Sequence, residues 1–167
     1  MVEHSPLKHL VICGVSGAGK STIAQRLAEK IDGEFADADD FHSEAAKQKM
    51  AAGVALTDDD RMPWLENLRR FLAQSEGPIV LACSALKSSY RSLLNSHGNV
   101  RFIVLKLSPE AAKTRVRQRG ESHFMPDSLV ESQFEALEIG DDCFVVDAEQ
   151  GVDDVLRDCL IASKGEL

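Results

Sequence analysis

The chain has 167 residues, 44% of them hydrophobic and 28% charged, with a formal net charge of −8. That length suits one domain spanning 1–167 with a sizeable core, and the acidic excess argues against a nucleic-acid partner or an anionic membrane surface. No apolar run reaches the ~18 residues of a membrane span, so the expected location is the cytoplasm.

In chain order, residues 9–14 (HLVICG) form a short apolar run of strand length. GVSGAGKS follows at once, from Gly14 to Ser21, and opens a helical pattern marked by Ile23, Leu27 and Ile31. A second strand is expected over 34–39, running into FADADDFH. ALTDDDRMPWL then leads into a helix marked by Leu65, Leu68, Phe71 and Leu72, with Asp58, Asp59 or Asp60 as its cap and Pro63 in its first turn. Apolar runs recur at 77–85, 101–107 and 143–148, separated by helical patterns around Leu129, Phe134 and Leu137 and, last, Val152, Val155, Leu156 and Leu160. Consecutive apolar positions suit strands covered on both faces. Strand and helix alternating predict a three-layer α/β sandwich around a five-stranded parallel sheet, whose ligands sit beyond the carboxyl ends of the strands. Cys13, Cys83, Cys143 and Cys159 have no metal-ligand spacing and read as reduced thiols.

GxxxxGK(S/T) between a strand and a helix is the phosphate-binding P-loop. Its glycines let backbone amides converge on phosphate oxygens, and the helix start adds positive charge. Residues Gly14, Val15, Ser16, Gly17, Ala18, Gly19, Lys20, Ser21 and Thr22 are therefore expected to hold ATP, with Lys20 on the β- and γ-phosphates and Ser21 on Mg²⁺. No NKxD motif for guanine follows a late strand, and the run at 79–83 ends in CSALK with no acid. A GTP switch and a motor ATPase are set aside, leaving a small-molecule kinase of the nucleoside-kinase-like type.

Asp37 and Asp39, two apart on an extended segment, share one face. Asp39 is read as the group that orients the acceptor hydroxyl and takes its proton, and Asp37 as holding a water on Mg²⁺. The densest cationic cluster, residues 113–126 (KTRVRQRGESHFMP), reads as a mobile lid whose helix breaks near Gly120. Arg115 and Arg119 share a helix face, and either or both are expected to close on the γ-phosphate, with Arg117 pointing elsewhere. Arg61 reads as an anchor for an anionic acceptor and Trp64 as packing.

Together GVSGAGKS, DADDFH, G.ALTDDDRMPWL, CSALKSSYR and HFMPDSLVESQFEALE resemble bacterial-type gluconokinases over most of the chain. The resemblance implies phosphorylation of D-gluconate at its 6-hydroxyl with ATP and Mg²⁺, and a homodimer. It also implies Arg61, Lys87 and Arg91 for the carboxylate, Asp39, His42, His123 and Gln133 for hydroxyls, and Ser84 beside substrate or Mg²⁺. Where the family pattern has a proline-containing turn this chain reads IGDD (139–142), a segment expected near adenine. The alternatives are a shikimate-kinase-like enzyme and a non-catalytic ATP-binding regulator.

Overall fold

The structure, a computed structural model, describes residues 9–119 and 126–165. Among them run β1 (His9–Cys13), α1 (Lys20–Lys30), β2 (Glu34–Asp37), a 3₁₀ turn (Ala38–Phe41), α2 (Glu44–Ala51) and α3 (Asp58–Gln74). Then come β3 (Ile79–Ala82), α4 (Ser88–Leu94), β4 (Val100–Lys106), α5 (Pro109–Gln118), α6 (Asp127–Ala136), β5 (Cys143–Asp147) and α7 (Val152–Ser163). The five strands form one parallel sheet in the order β2-β3-β1-β4-β5.

β1 is buried throughout because both sheet faces are covered. Its alternate residues feed two cores. Leu10 and Ile12 join Ile23, Leu27, Leu156 and Cys159 from α1 and α7, while Val11 and Cys13 join Leu65, Leu68, Tyr90 and Leu94 from α3 and α4. The chain leaves β1 toward β2, returns through β3, and crosses over to β4 on β1's other side. That reversal opens a crevice at the carboxyl end of β1, where the glycine loop begins. No helix among the described residues is long and apolar enough to cross a membrane.

The start of α3 differs from expectation. Thr57 is the cap, its Oγ1 accepting from the Asp60 amide at 3.1 Å, while the Asp60 carboxylate accepts from the Thr57 amide at 2.9 Å. A reciprocal box of this kind satisfies two helix-end donors with one pair of side chains, which a lone aspartate cannot do. All three aspartates therefore lie inside the first turn, and Pro63 sits in the second. α2 and α4 were not anticipated. α2 buries only Ala46, too little to print an apolar stripe on the sequence, and α4 spans just Ser88–Leu94.

Candidate active site

The glycine loop is built by backbone demands. Gly14 has φ +140° and Gly17 φ +87°, and a Cβ on either would lie 2.8 Å from a backbone carbonyl, of Leu105 and Ala112 respectively. Gly19 also has positive φ, but no heavy atom would meet a Cβ there within 4 Å. The first two glycines thus let the loop pack on β4 and α5, and the third keeps its open side clear for a ligand. The Gly14 amide donates to the Ser84 carbonyl at 3.2 Å, joining the loop to CSALK after β3.

Lys20 opens α1 and folds back so that Nζ donates to the Val15 carbonyl at 3.0 Å. Burial pushes its pKa below the ordinary lysine value, and the Asp39 carboxylate works against that shift. Ser21 Oγ donates to Asp37 Oδ2 at 3.0 Å, and Asp37 Oδ1 accepts from the Asp39 amide at 3.0 Å. Burial, then the neighbouring Asp37 charge, raises the Asp39 carboxyl above the usual carboxylate value, with Lys20 and Arg119 opposing. A group raised in this way accepts a proton more readily than an ordinary aspartate.

Ser16, Lys20, Ser21, Asp37, Asp39, His42, Arg61, Ser84, Arg119 and Gln133 all line one cleft of about 220 Å³. Met50 of α2, Val54, Ala55 and Leu56 between α2 and α3, and Leu129 of α6 add an apolar wall that sequence reasoning did not assign. Arg61 Nη1 donates to the Leu56 carbonyl at 2.6 Å and to Tyr90 Oη at 3.4 Å. The Tyr90 hydroxyl donates in turn to Asp58. Tyr90, the only tyrosine and inside a quoted motif, does not line the cleft but supports Arg61 from behind, a role that sequence reasoning missed. His42 stacks on Trp64, ring centroids 4.2 Å apart, and burial, then Arg61 and Lys47, push its pKa down to about 4. The imidazole is therefore neutral at physiological pH. Gln133 is already engaged at the glycine loop: Oε1 accepts from the Ser16 amide at 2.6 Å and Nε2 donates to Ser16 Oγ at 3.1 Å.

Other expectations are corrected. Arg91, expected at the substrate carboxylate, is 1% exposed and outside the cleft. Its guanidinium is taken by Asp142 and by the carbonyls of Ala85, Leu86 and Glu138. Lys87 pairs with Asp58 at 3.0 Å and does not line the cleft. Arg115 donates to the carbonyls of Gly17 at 3.3 Å and Ala148 at 2.6 Å, lining a neighbouring cavity of about 320 Å³ with Gly19, Thr22, Gln150 and Val152. That cavity, on the outer side of the glycine loop, is bordered by the segment after β5. IGDD does not line it, and its Asp142 serves Arg91 instead. Arg119 borders both spaces, a suitable position for a cation facing the terminal phosphate. His123 and most of the lid segment beyond Arg119 lie outside the described residues.

A parallel sheet of this order, with a glycine loop leading into Lys20 and Ser21 and an acid pair across the cleft, defines a P-loop kinase acting on a small molecule. A family model described as Shikimate kinase matches residues 16–138. A gluconokinase of Arabidopsis thaliana is 42% identical over 81% of this chain and 80% of its own length. The crystal structure of a gluconokinase from Sinorhizobium meliloti 1021 superposes with a TM-score of 0.87 at 36% identity, covering 95% of this chain and 93% of that one. A shikimate kinase from Aquifex aeolicus shares the fold alone, at 16% identity over 94% of this chain and 96% of that one, with a TM-score of 0.60. The chain belongs to the gluconokinase family, within the wider group that the shikimate kinase model covers.

Proposed function

We propose that this chain transfers the γ-phosphoryl group of ATP to the 6-hydroxyl of D-gluconate, giving 6-phospho-D-gluconate and ADP. The observation that carries this reading is the convergence of Lys20, Asp39 and Arg61 on one cleft. A phosphate cation, a base with raised proton affinity and an arginine with unspent donors are what a hydroxylated carboxylate and a triphosphate require together.

In this reading the loop amides and Lys20 hold the β- and γ-phosphates, and Arg61 holds the carboxylate end of gluconate. Ser84 and His42 face its hydroxyls. Asp39 accepts the proton of the 6-hydroxyl as its oxygen bonds to the γ-phosphorus and the bond to the β-γ bridging oxygen breaks. Arg119 balances the charge that builds on the transferring group. Positioning and charge stabilisation do most of the work.

Ser21 Oγ and Asp37 Oδ2, 3.0 Å apart, are hard oxygen donors that fit Mg²⁺. This ion takes most of its remaining ligands from water and phosphate, so no larger protein cluster is needed. When bound it neutralises phosphate charge and orients the terminal group. We read residues 113–126 as a lid that closes behind the nucleotide, with Arg119 rather than Arg115 on the γ-phosphate. Arg115 belongs to the wall of the nucleotide's other end. A single domain, a cytoplasmic location and a homodimer complete the proposal.

The test is a coupled ADP-release assay over gluconate, other aldonic acids and shikimate, with product identified by mass. Turnover with gluconate to 6-phosphogluconate is expected. Turnover with shikimate alone, or ATP binding without transfer, overturns the assignment. In the same assay Asp39→Asn is expected to lower kcat by roughly 10²–10⁴-fold while ATP still binds. Near-full kcat removes Asp39 from the base role.

A further inference from the structure

The segment carrying Asp39 is a short 3₁₀ turn, Ala38–Phe41, wedged between β2 and α2. Such turns have poor internal hydrogen-bond geometry and do not hold themselves rigidly. This one also has a reason to open, because Asp37 and Asp39 carry like charges two residues apart. Beyond its own 3₁₀ backbone ladder it is held locally by the Asp39 amide on Asp37 Oδ1 at 3.0 Å and the His42 amide on the Asp39 carbonyl at 3.3 Å.

One hydrogen bond among the described residues reaches residues 38–41 from another helix or strand. Trp64 Nε1, on α3, donates to the Ala38 carbonyl at 2.7 Å. Ala38 is the residue between the two carboxylates, and it is 1% exposed. The same indole stacks on His42 at the far end of the turn, with the ring planes 12° apart. Trp64 therefore touches the turn at both ends, by a donor at its start and a ring face at its finish. It is itself 5% exposed, so its own rotamer is fixed by packing against α3 and β3 neighbours. Arg61 lies three residues earlier on the same helix, on the same side.

We propose that Trp64 is a positioning residue for phosphoryl transfer: its indole N–H fixes the carbonyl between Asp37 and Asp39 and so sets the base relative to the acceptor that Arg61 holds. One rigid helix then carries both references, the acceptor's charged end and the base's turn. Loss of the N–H leaves the acceptor bound and the base misplaced. The proposal rests on the reading of Asp39 as the base.

Trp64 is the only tryptophan in the chain, so tryptophan analogues replace it and nothing else. Benzothienylalanine keeps the shape and the stack on His42 but has sulfur where the indole has N–H. 7-Azatryptophan keeps the N–H. The benzothienyl protein is expected to lose roughly 10- to 100-fold in kcat, as for a reacting group displaced by about 1 Å. KM for ATP and for gluconate should stay within about twofold, and the azatryptophan protein should keep a near-native kcat. Trp64→Phe, which also lacks the donor, should match the benzothienyl protein. Equal kcat with and without the N–H overturns the proposal. So does a loss confined to the KM for gluconate, which would make Trp64 a substrate contact, or a loss that follows the folded fraction in thermal unfolding. The unsubstituted protein in the same assay tests the substrate separately. Should it turn over a different acceptor, the analogue series is read on that acceptor.

Discussion

Arg61 and Arg91 belong to two motifs that read alike as cationic anchors, DDDR.PWL and CSALK..YR, yet they do opposite jobs. Arg91 donates all it has: Nε and Nη2 to Asp142, Nη1 to the carbonyls of Ala85 and Leu86, Nη2 again to that of Glu138. Arg61 donates only from Nη1 among the described residues, to Leu56 and Tyr90, and its side chain borders the cleft. A guanidinium has five N–H donors. One that has spent them is a strut; one that keeps some is available to a ligand. The strut still serves the site at a distance. Ala85, whose carbonyl it holds, has φ +40°, a left-handed conformation that a residue with a side chain rarely adopts. Arg91 thereby keeps CSALK in the shape that presents Ser84 to the cleft.

The sharpest break in this comparison is Arg91→Met. It leaves the buried Ala85 carbonyl without its donor, takes one of two donors from the Leu86 carbonyl, and strips Glu138 and Asp142 of their cation, at a cost of about 3–5 kcal/mol. Thermal unfolding should show a large drop in Tm, and an unchanged Tm would return Arg91 to the list of binding residues. The acid limb of stability is a second check. The Arg91 hydrogen bond holds the Asp142 carboxyl below its ordinary value. Its folded pKa is thus depressed, so its contribution is complete above the unfolded value near 4 and is lost as pH falls through the folded one. In Arg91→Met that part of the acid loss should vanish.

Arg61→Ala should act on catalysis instead. Losing a charged bond to the acceptor carboxylate costs about 2 kcal/mol, or roughly 30-fold in kcat/KM, with Tm little changed. It also has a spectroscopic signature. Arg61 is the second cause, after burial, of the low His42 pKa of about 4. Without Arg61 that value should rise toward 6.5, as followed by the imidazole resonances on titration. The sign for stability follows. A folded pKa below the unfolded one means the unfolded chain binds the proton first, so stability falls as pH drops from 6.5 toward 4. Arg61→Ala should narrow that window. A His42 pKa that stays near 4 would mean burial alone sets it.

The sequence is legible in the molecule wherever function is written into backbone or into neighbours along the chain. The phosphate loop, with its lysine and serine, stands where strand and glycine spacing put it. The extended strand expected through Asp39 ends instead at Asp37, and Asp39 comes beside Asp37 through the 3₁₀ turn that Asp37 caps, not through period-two alternation. The central strands β1, β3 and β4 were readable because apolar runs covered on both faces leave a continuous signal, whereas the edge strands β2 and β5 are only partly buried. The role of Arg91 was not readable, because its partner Asp142 is 51 residues away and nothing local shows that the donors are spent. α2 was hidden for a different reason: it lies on the surface beside the cleft and buries one alanine. Trp64 was correctly read as packing, but its N–H reaches across 26 residues to Ala38, a link that periodicity cannot carry.

Lys87 gives the smallest effect and the finest test of the rule that spent donors make struts. It is half-exposed, with Nζ on both oxygens of Asp58 at 3.0 and 3.2 Å. Unlike Arg91 it is not buried, so water can replace its partner at little cost. Lys87→Ala should therefore change kcat/KM by about threefold or less, and the difference should shrink as salt rises, because exposed pairs are weak and screened. A loss as large as that of Arg61→Ala, persisting in high salt, would mean that Lys87 leaves Asp58 for the substrate carboxylate when gluconate binds. In that case partnership within the protein would not decide a cation's role, and burial alone would separate Arg91 from the residues that bind.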